Sequence, residues 1–238
     1  MLKAKVVAVF VGASVLCGCQ TTEQVIKDTL VILQGSTTES VSPEDISERF
    51  EINPGLAVTD PLLGAYITSL LSILSAQEIW LNALGKAELA AELEAQREDL
   101  ERGSTLDSEA LDTLNELSNK AQEVIAQTKD KEETLSRENA ILFATGFVPY
   151  YVGVKQARDV VEVAPGYSQY LVDNAADYRQ LESNKLRLNA VAEITRTGPS
   201  YLTTLYETTA LVYEYSQDQG IEMPSEMEEL NDISQMNL

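Results

Sequence analysis

Residues 60–84 read Asp60-Pro61-Leu62-Leu63-Gly64-Ala65-Tyr66-Ile67-Thr68-Ser69-Leu70-Leu71-Ser72-Ile73-Leu74-Ser75-Ala76-Gln77-Glu78-Ile79-Trp80-Leu81-Asn82-Ala83-Leu84. An aspartate that can cap, followed by proline at the first helical position, is a strong helix start. No charge occurs after it until Glu78, and apolar residues fall on nearly every face. Such a helix is surrounded either by lipid or by other helices. Three serines, Thr68 and Gln77 favour other helices, because hydrocarbon offers their polar atoms no partners. The stretch therefore predicts the central helix of an all-α bundle.

The same signals organise the chain on both sides of it. Upstream, Ser42-Pro43-Glu44-Asp45 predicts a short helix with an N-cap, a proline and acids in its first turn, broken by Asn53-Pro54-Gly55. Downstream, Gly85 is a stop, and residues 86–102 form a charged amphipathic helix with Leu89, Leu93 and Leu100 on one side. Ser104 or Asp107 can cap the next helix. Leu111, Leu114, Leu117, Ala121 and Val124 are spaced by threes and fours, predicting one long helix over about 108–145. Its stripe lapses at Lys129-Asp130-Lys131-Glu132-Glu133, read as a solvated stretch projecting beyond the core. Ala164-Pro165-Gly166 predicts a turn and a fresh helix from about Ser168 to Arg196. Gly198-Pro199 separates this from a last long helix to Gln219, ended by Gly220, and Ser225 with Glu228 suggests a short tail helix. The expected architecture is all-α, a bundle of about five main helices behind an N-terminal flexible tether. Its bounds are 43–220 for the bundle and 221–238 for an acidic tail.

Composition excludes more than it assigns. Thirty-eight acids face seventeen bases, a net charge of −21. That balance argues against nucleic acid and against lying flat on anionic lipid, since both need a basic surface. Histidine is absent, and the only cysteines are Cys17 and Cys19. Imidazole-based triads, His/Cys metal sites and disulfides within the domain are thereby ruled out. Carboxylate pairs such as Glu88 with Glu92 read as solvated helix faces. Without Glu-x-x-His they cannot build a diiron centre. No cofactor and no metal is expected.

The N-terminus carries an address. Lys3 and Lys5 precede thirteen uncharged residues, Val6 to Gly18, too short for a transmembrane helix of about 20. Leu16-Cys17-Gly18-Cys19 resembles the lipobox of bacterial lipoproteins, a resemblance confined to the first nineteen residues. It implies a signal peptide over 1–18, lipidation of Cys19 and a membrane anchor. Gln20, in place of the aspartate associated with inner-membrane retention, implies the outer membrane, with the body facing the periplasm. Several acyl chains give stable anchoring where one is marginal. Residues 19–42 then form the lipidated cysteine and tether, in which Thr21 and Gln24 have the spacing of a capping box.

Nine of ten tyrosines lie between Tyr150 and Tyr215, and eight acids but no base come after Arg196. The acidic end can dock on a basic partner or pack inside the molecule against the helix carrying Arg179, Lys185, Arg187 and Arg196; the second is preferred. Residues 139–154 form an uncharged run of sixteen, interrupted by Gly146, Pro149 and Gly153. Proline costs about 3 kcal/mol in a helix interior. A kink among Phe143, Phe147, Tyr150 and Tyr151 therefore marks these four as the candidate site for a partner or ligand. The leading expectation is a non-enzymatic, protein-binding or scaffolding envelope component. The alternative is a carrier for an apolar ligand or lipid held between segments 62–84 and 139–154. An enzyme relying on carboxylates and tyrosines comes third.

Overall fold

The computed structural model describes residues 39–54, 56, 60–102, 108–131, 134–174 and 185–237. The lipobox, Cys19, the expected tether as far as residue 38 and the expected caps at Ser104 and Asp107 lie outside them; at the end of the expected tether, the Val41 amide donates to the Gly166 carbonyl at 3.2 Å. Among the described residues every regular element is a helix: α1 (Pro43–Arg49), α2 (Pro61–Ala83), α3 (Ala87–Glu101), α4 (Ser108–Asp130), α5 (Arg137–Thr145), α6 (Phe147–Asp173), α7 (Lys185–Asp218) and α8 (Ser225–Asn237). Five of these have fifteen residues or more and three are shorter.

Local chemistry sets several ends. The Ser42 hydroxyl accepts from the Asp45 amide at 3.2 Å while the Asp45 carboxylate accepts from the Ser42 amide at 2.9 Å, a complete capping box with Pro43 at the first helical position. Asp60 Oδ1 accepts from the amides of Leu62 and Leu63, each at 3.1 Å. Gly85 takes a positive φ of 70°, and Lys86 N–H closes back onto the Leu81 carbonyl at 2.8 Å. Gly220 (φ 65°) ends α7 in the same way, with Ile221 N–H on the Ser216 carbonyl at 2.9 Å.

Helix α2 is the centre of the bundle. Fifteen of its 23 residues are buried, from Leu62 to Ala83, and 67% of its most apolar window is covered by other helices. Three of its hydroxyls donate to its own backbone: Thr68 to the Gly64 carbonyl at 2.8 Å, Ser69 to the Tyr66 carbonyl at 2.6 Å and Ser72 to the Thr68 carbonyl at 3.1 Å. Gln77 accepts from Ser118 of α4 at 3.2 Å. Helix α6 crosses α2 closely because Gly153 has no side chain; a Cβ there would stand 2.7 Å from Ile73 Cγ1 and 2.8 Å from the Ser69 carbonyl. Helix α7 approaches α6 likewise, with Gly198 against Val161.

Three sequence-based expectations are corrected. The long helix over 108–145 is two helices: α4 stops at Asp130 and α5 starts afresh, Ser136 Oγ accepting from the Asn139 amide at 3.1 Å. The charge run does not simply project into solvent, since Lys129 pairs with Glu214 of α7. Ala164-Pro165-Gly166 is no turn but lies inside α6, and Gly198-Pro199 lies inside α7. Each proline removes one backbone hydrogen bond at about 3 kcal/mol. Around Pro165 the chain buries Val163, Ala164, Tyr167 and Leu171, and around Pro199 it buries Ile194, Tyr201, Leu202 and Leu205. A fully buried large apolar side chain contributes about 1.5–3 kcal/mol, so two or three of them outweigh one proline.

The acidic end packs inward through apolar contacts; of its expected charge partners, Arg179 and the Lys185 side chain lie outside the described residues. Helix α8 lies on α7 and α6 through Met227 and Leu230, both buried. Arg187 pairs with Asp60, and Arg196 with Glu193.

Candidate functional site

Residues 139–154 do contain the break that Pro149 implies. Pro149 has no N–H to give the Thr145 carbonyl, so α5 ends at Thr145 and α6 starts at Phe147, with Gly146 between them. Gly146 keeps right-handed helical backbone (φ −77°, ψ −15°), and buried and exposed positions keep one spacing of threes and fours across it. At the break the Trp80 indole N–H donates to the Phe143 carbonyl at 3.0 Å. A Cβ on Gly146 would lie 2.5 Å from Trp80 Nε1. The glycine is there to admit the indole.

The four candidate aromatics divide unequally. Phe143, Phe147 and Tyr150 are buried at 0–1% exposure, so the kink does not present them to a partner. They form a ring cluster about Trp80: Phe143 stacks on it at 5.6 Å and Tyr150 tilts over it at 4.8 Å. Phe147 meets Phe143 edge-on at 6.0 Å, and Tyr215 of α7 closes the group at 5.4 Å from Phe143. The Tyr150 hydroxyl donates to the Leu205 carbonyl at 2.8 Å. Burial raises its pKa far above the ordinary tyrosine value, which keeps it a neutral donor. Only Tyr151 reaches the surface. It donates to Glu229 of α8 at 3.1 Å and accepts from Lys155 Nζ at 3.3 Å, an inter-helix tie. The recess it lines with Arg158, Tyr206 and Leu230 has about 10 Å³, room for at most one water.

The opposite face of the same run is what the sequence reading missed. Among the described residues the exposed large apolar side chains are Ile141 (60%), Leu142 (39%), Val148 (57%), Val152 (43%) and Met236. Four of the five fall within twelve consecutive residues. Phe143, Phe147, Tyr150 and Val154 mark the inner stripe; Ile141, Thr145, Val148 and Val152 repeat the same spacing two residues earlier and face solvent. The signal was present in the absence of charge, because a solvated helix face normally carries polar or charged residues there. Arg137, Glu138 and Lys155, all exposed, bracket this aliphatic face.

Elsewhere, the one buried carboxylate among the described residues, Asp60, is structural. Asp60 Oδ2 accepts from the Tyr167 hydroxyl and from Arg187 Nε, both at 2.7 Å, while Oδ1 caps α2. Burial, then the hydrogen bond to Asp60, pushes the Tyr167 hydroxyl upward. Every acceptor position is engaged, which leaves no free base for proton transfer. Among the described residues no cluster of three or more Asp and Glu side chains could hold a metal ion.

No protein family, curated protein or solved structure matches this chain.

Proposed function

We propose that this protein is a lipid-anchored, non-enzymatic component of the bacterial cell envelope that binds another protein through the aliphatic face of residues 141–152. The observation that carries the reading is the concentration of Ile141, Val148 and Val152 on one exposed face, with exposed Leu142 at its edge, in an otherwise acidic molecule. Soluble proteins scatter exposed apolar residues singly, and clusters mark interaction sites. The anchor rests on the lipobox-like Leu16-Cys17-Gly18-Cys19. The carrier alternative needs space between segments 62–84 and 139–154, where Trp80, Phe143 and Tyr150 pack and Gly153 brings the backbones together.

Chemical crosslinking in intact envelopes tests the reading. Val148→Asp and Val152→Asp should each lower the yield of protein adducts about tenfold, since an isolated charge is costly in an apolar interface. Both positions are exposed, so the melting temperature should hardly move. Unchanged adducts in both variants would refute the assignment of the face.

A further inference from the structure

The exposed face has a property beyond being apolar. Its positions Glu138, Ile141, Thr145, Val148, Val152 and Lys155 step by 3, 4, 3, 4 and 3, all are exposed, and the right-handed backbone of Gly146 carries the face from α5 into α6. Steps of three and four are the seam of packed helices. This set of steps is unchanged on reversal. Turning a second copy about a two-fold axis through the midpoint sets Ile141 opposite Val152 and Thr145 opposite Val148. The same rotation sets Glu138 of each copy opposite Lys155 of the other, giving two opposite-charge pairs by symmetry.

We infer that the occupant of this face is a second copy of the chain, docked antiparallel across α5 and the start of α6. This rests on reading residues 141–152 as a protein-docking face. Lys155 is already steadied at the rim by the Tyr151 hydroxyl at 3.3 Å and lies over the Tyr151 ring at 5.5 Å. The net charge of −21 opposes association only weakly at physiological salt, because charges more than about 8 Å apart are largely screened and only those at the contact count. The face brings Arg137, Glu138 and Lys155, with Glu229 and Asp159 near Lys155, a near balance. An anionic bilayer fits less well, since it would want a surplus of bases around the apolar patch. The seam spans about 26 Å of helix and lies toward the small end of specific interfaces, so the association is reversible.

Glu138 and Lys155 of one chain are about 26 Å apart along the helix, so any zero-length bond between them joins two copies. The test is carbodiimide coupling of the full chain in its own membrane, then peptide mapping. The expected result is an adduct of twice the chain mass in which Glu138 is joined to Lys155. Val148→Asp should reduce it at least fivefold. Glu138→Lys and Lys155→Glu should each reduce dimer capture by a photoreactive group placed at Thr145, and the double exchange should restore it; a merely structural role for Lys155 would give no restoration. The inference falls if no such adduct forms, if it forms regardless of Val148→Asp, or if the double exchange fails to restore capture. If adducts to other proteins vanish with Val148→Asp while no self-adduct exists, the docking face stands and the second copy does not. If nothing depends on Val148, both fall.

Discussion

Replacing Gly146 by alanine sets two effects against each other. Gly146 has ordinary right-handed helical backbone, φ −77° and ψ −15°. On backbone grounds alone, alanine there should stabilise by about 0.5–1 kcal/mol, through higher helix propensity and a less flexible unfolded chain. The added methyl, however, would lie 2.5 Å from Trp80 Nε1 and 2.9 Å from Cδ1. Trp80 cannot swing away, being fully buried between Phe143 and Tyr150. Overpacking costs about 1–3 kcal/mol, and displacing the indole from the Phe143 carbonyl costs about 1–3 kcal/mol more. The clash wins, with a net destabilisation of about 1–5 kcal/mol. For a chain this size that is a fall in Tm of roughly 2–20 °C. Urea unfolding monitored by far-UV circular dichroism measures it. Trp80→Phe should cost stability by itself, yet in that background Gly146→Ala should be nearly neutral because the space has opened. A Gly146→Ala protein as stable as the parent, or equal costs in both backgrounds, would refute the account of Gly146 as the entry for the indole.

Buried tyrosines and the anchor give two further expected outcomes. Burial raises the Tyr66 and Tyr150 hydroxyls well above their ordinary 10.0 and pushes Tyr201 up to about 12, so the folded state holds their protons more tightly than the unfolded chain does. Stability from these groups is complete below pH 10 and declines as pH rises through about 12; denaturation midpoints measured from pH 8 to 12 should fall only in the upper half, and a flat profile would contradict the burial. Cys19→Ala should abolish incorporation of radiolabelled fatty acid and release the protein from membranes, while Cys17→Ala should do neither; label on the Cys19→Ala protein would remove the lipid anchor.

Local sequence decides whatever depends on groups a few residues apart. Ser42 with Asp45, Asp60 ahead of Pro61, Gly85 and Gly220 end or start helices through contacts within five residues, and all are legible without the fold. Ser136 belongs in the same class: its cap on Asn139 is local, although no glycine or proline marks the break. The prolines behave otherwise. Pro149 ends a helix as its chemistry demands, while Pro165 and Pro199 do not. The missing hydrogen bond is the same in each case; what differs is the burial offered by other helices, and no local stretch contains that term. The candidate site shows the same division. Residues 139–154 are recognisable as exceptional for their lack of charge, but both faces of the run are apolar, so periodicity cannot say which turns inward. Trp80, more than sixty residues earlier, decides it: its indole needs the Phe143 carbonyl and the gap at Gly146, which draws Phe143, Phe147 and Tyr150 into the core and leaves Ile141, Val148 and Val152 in solvent.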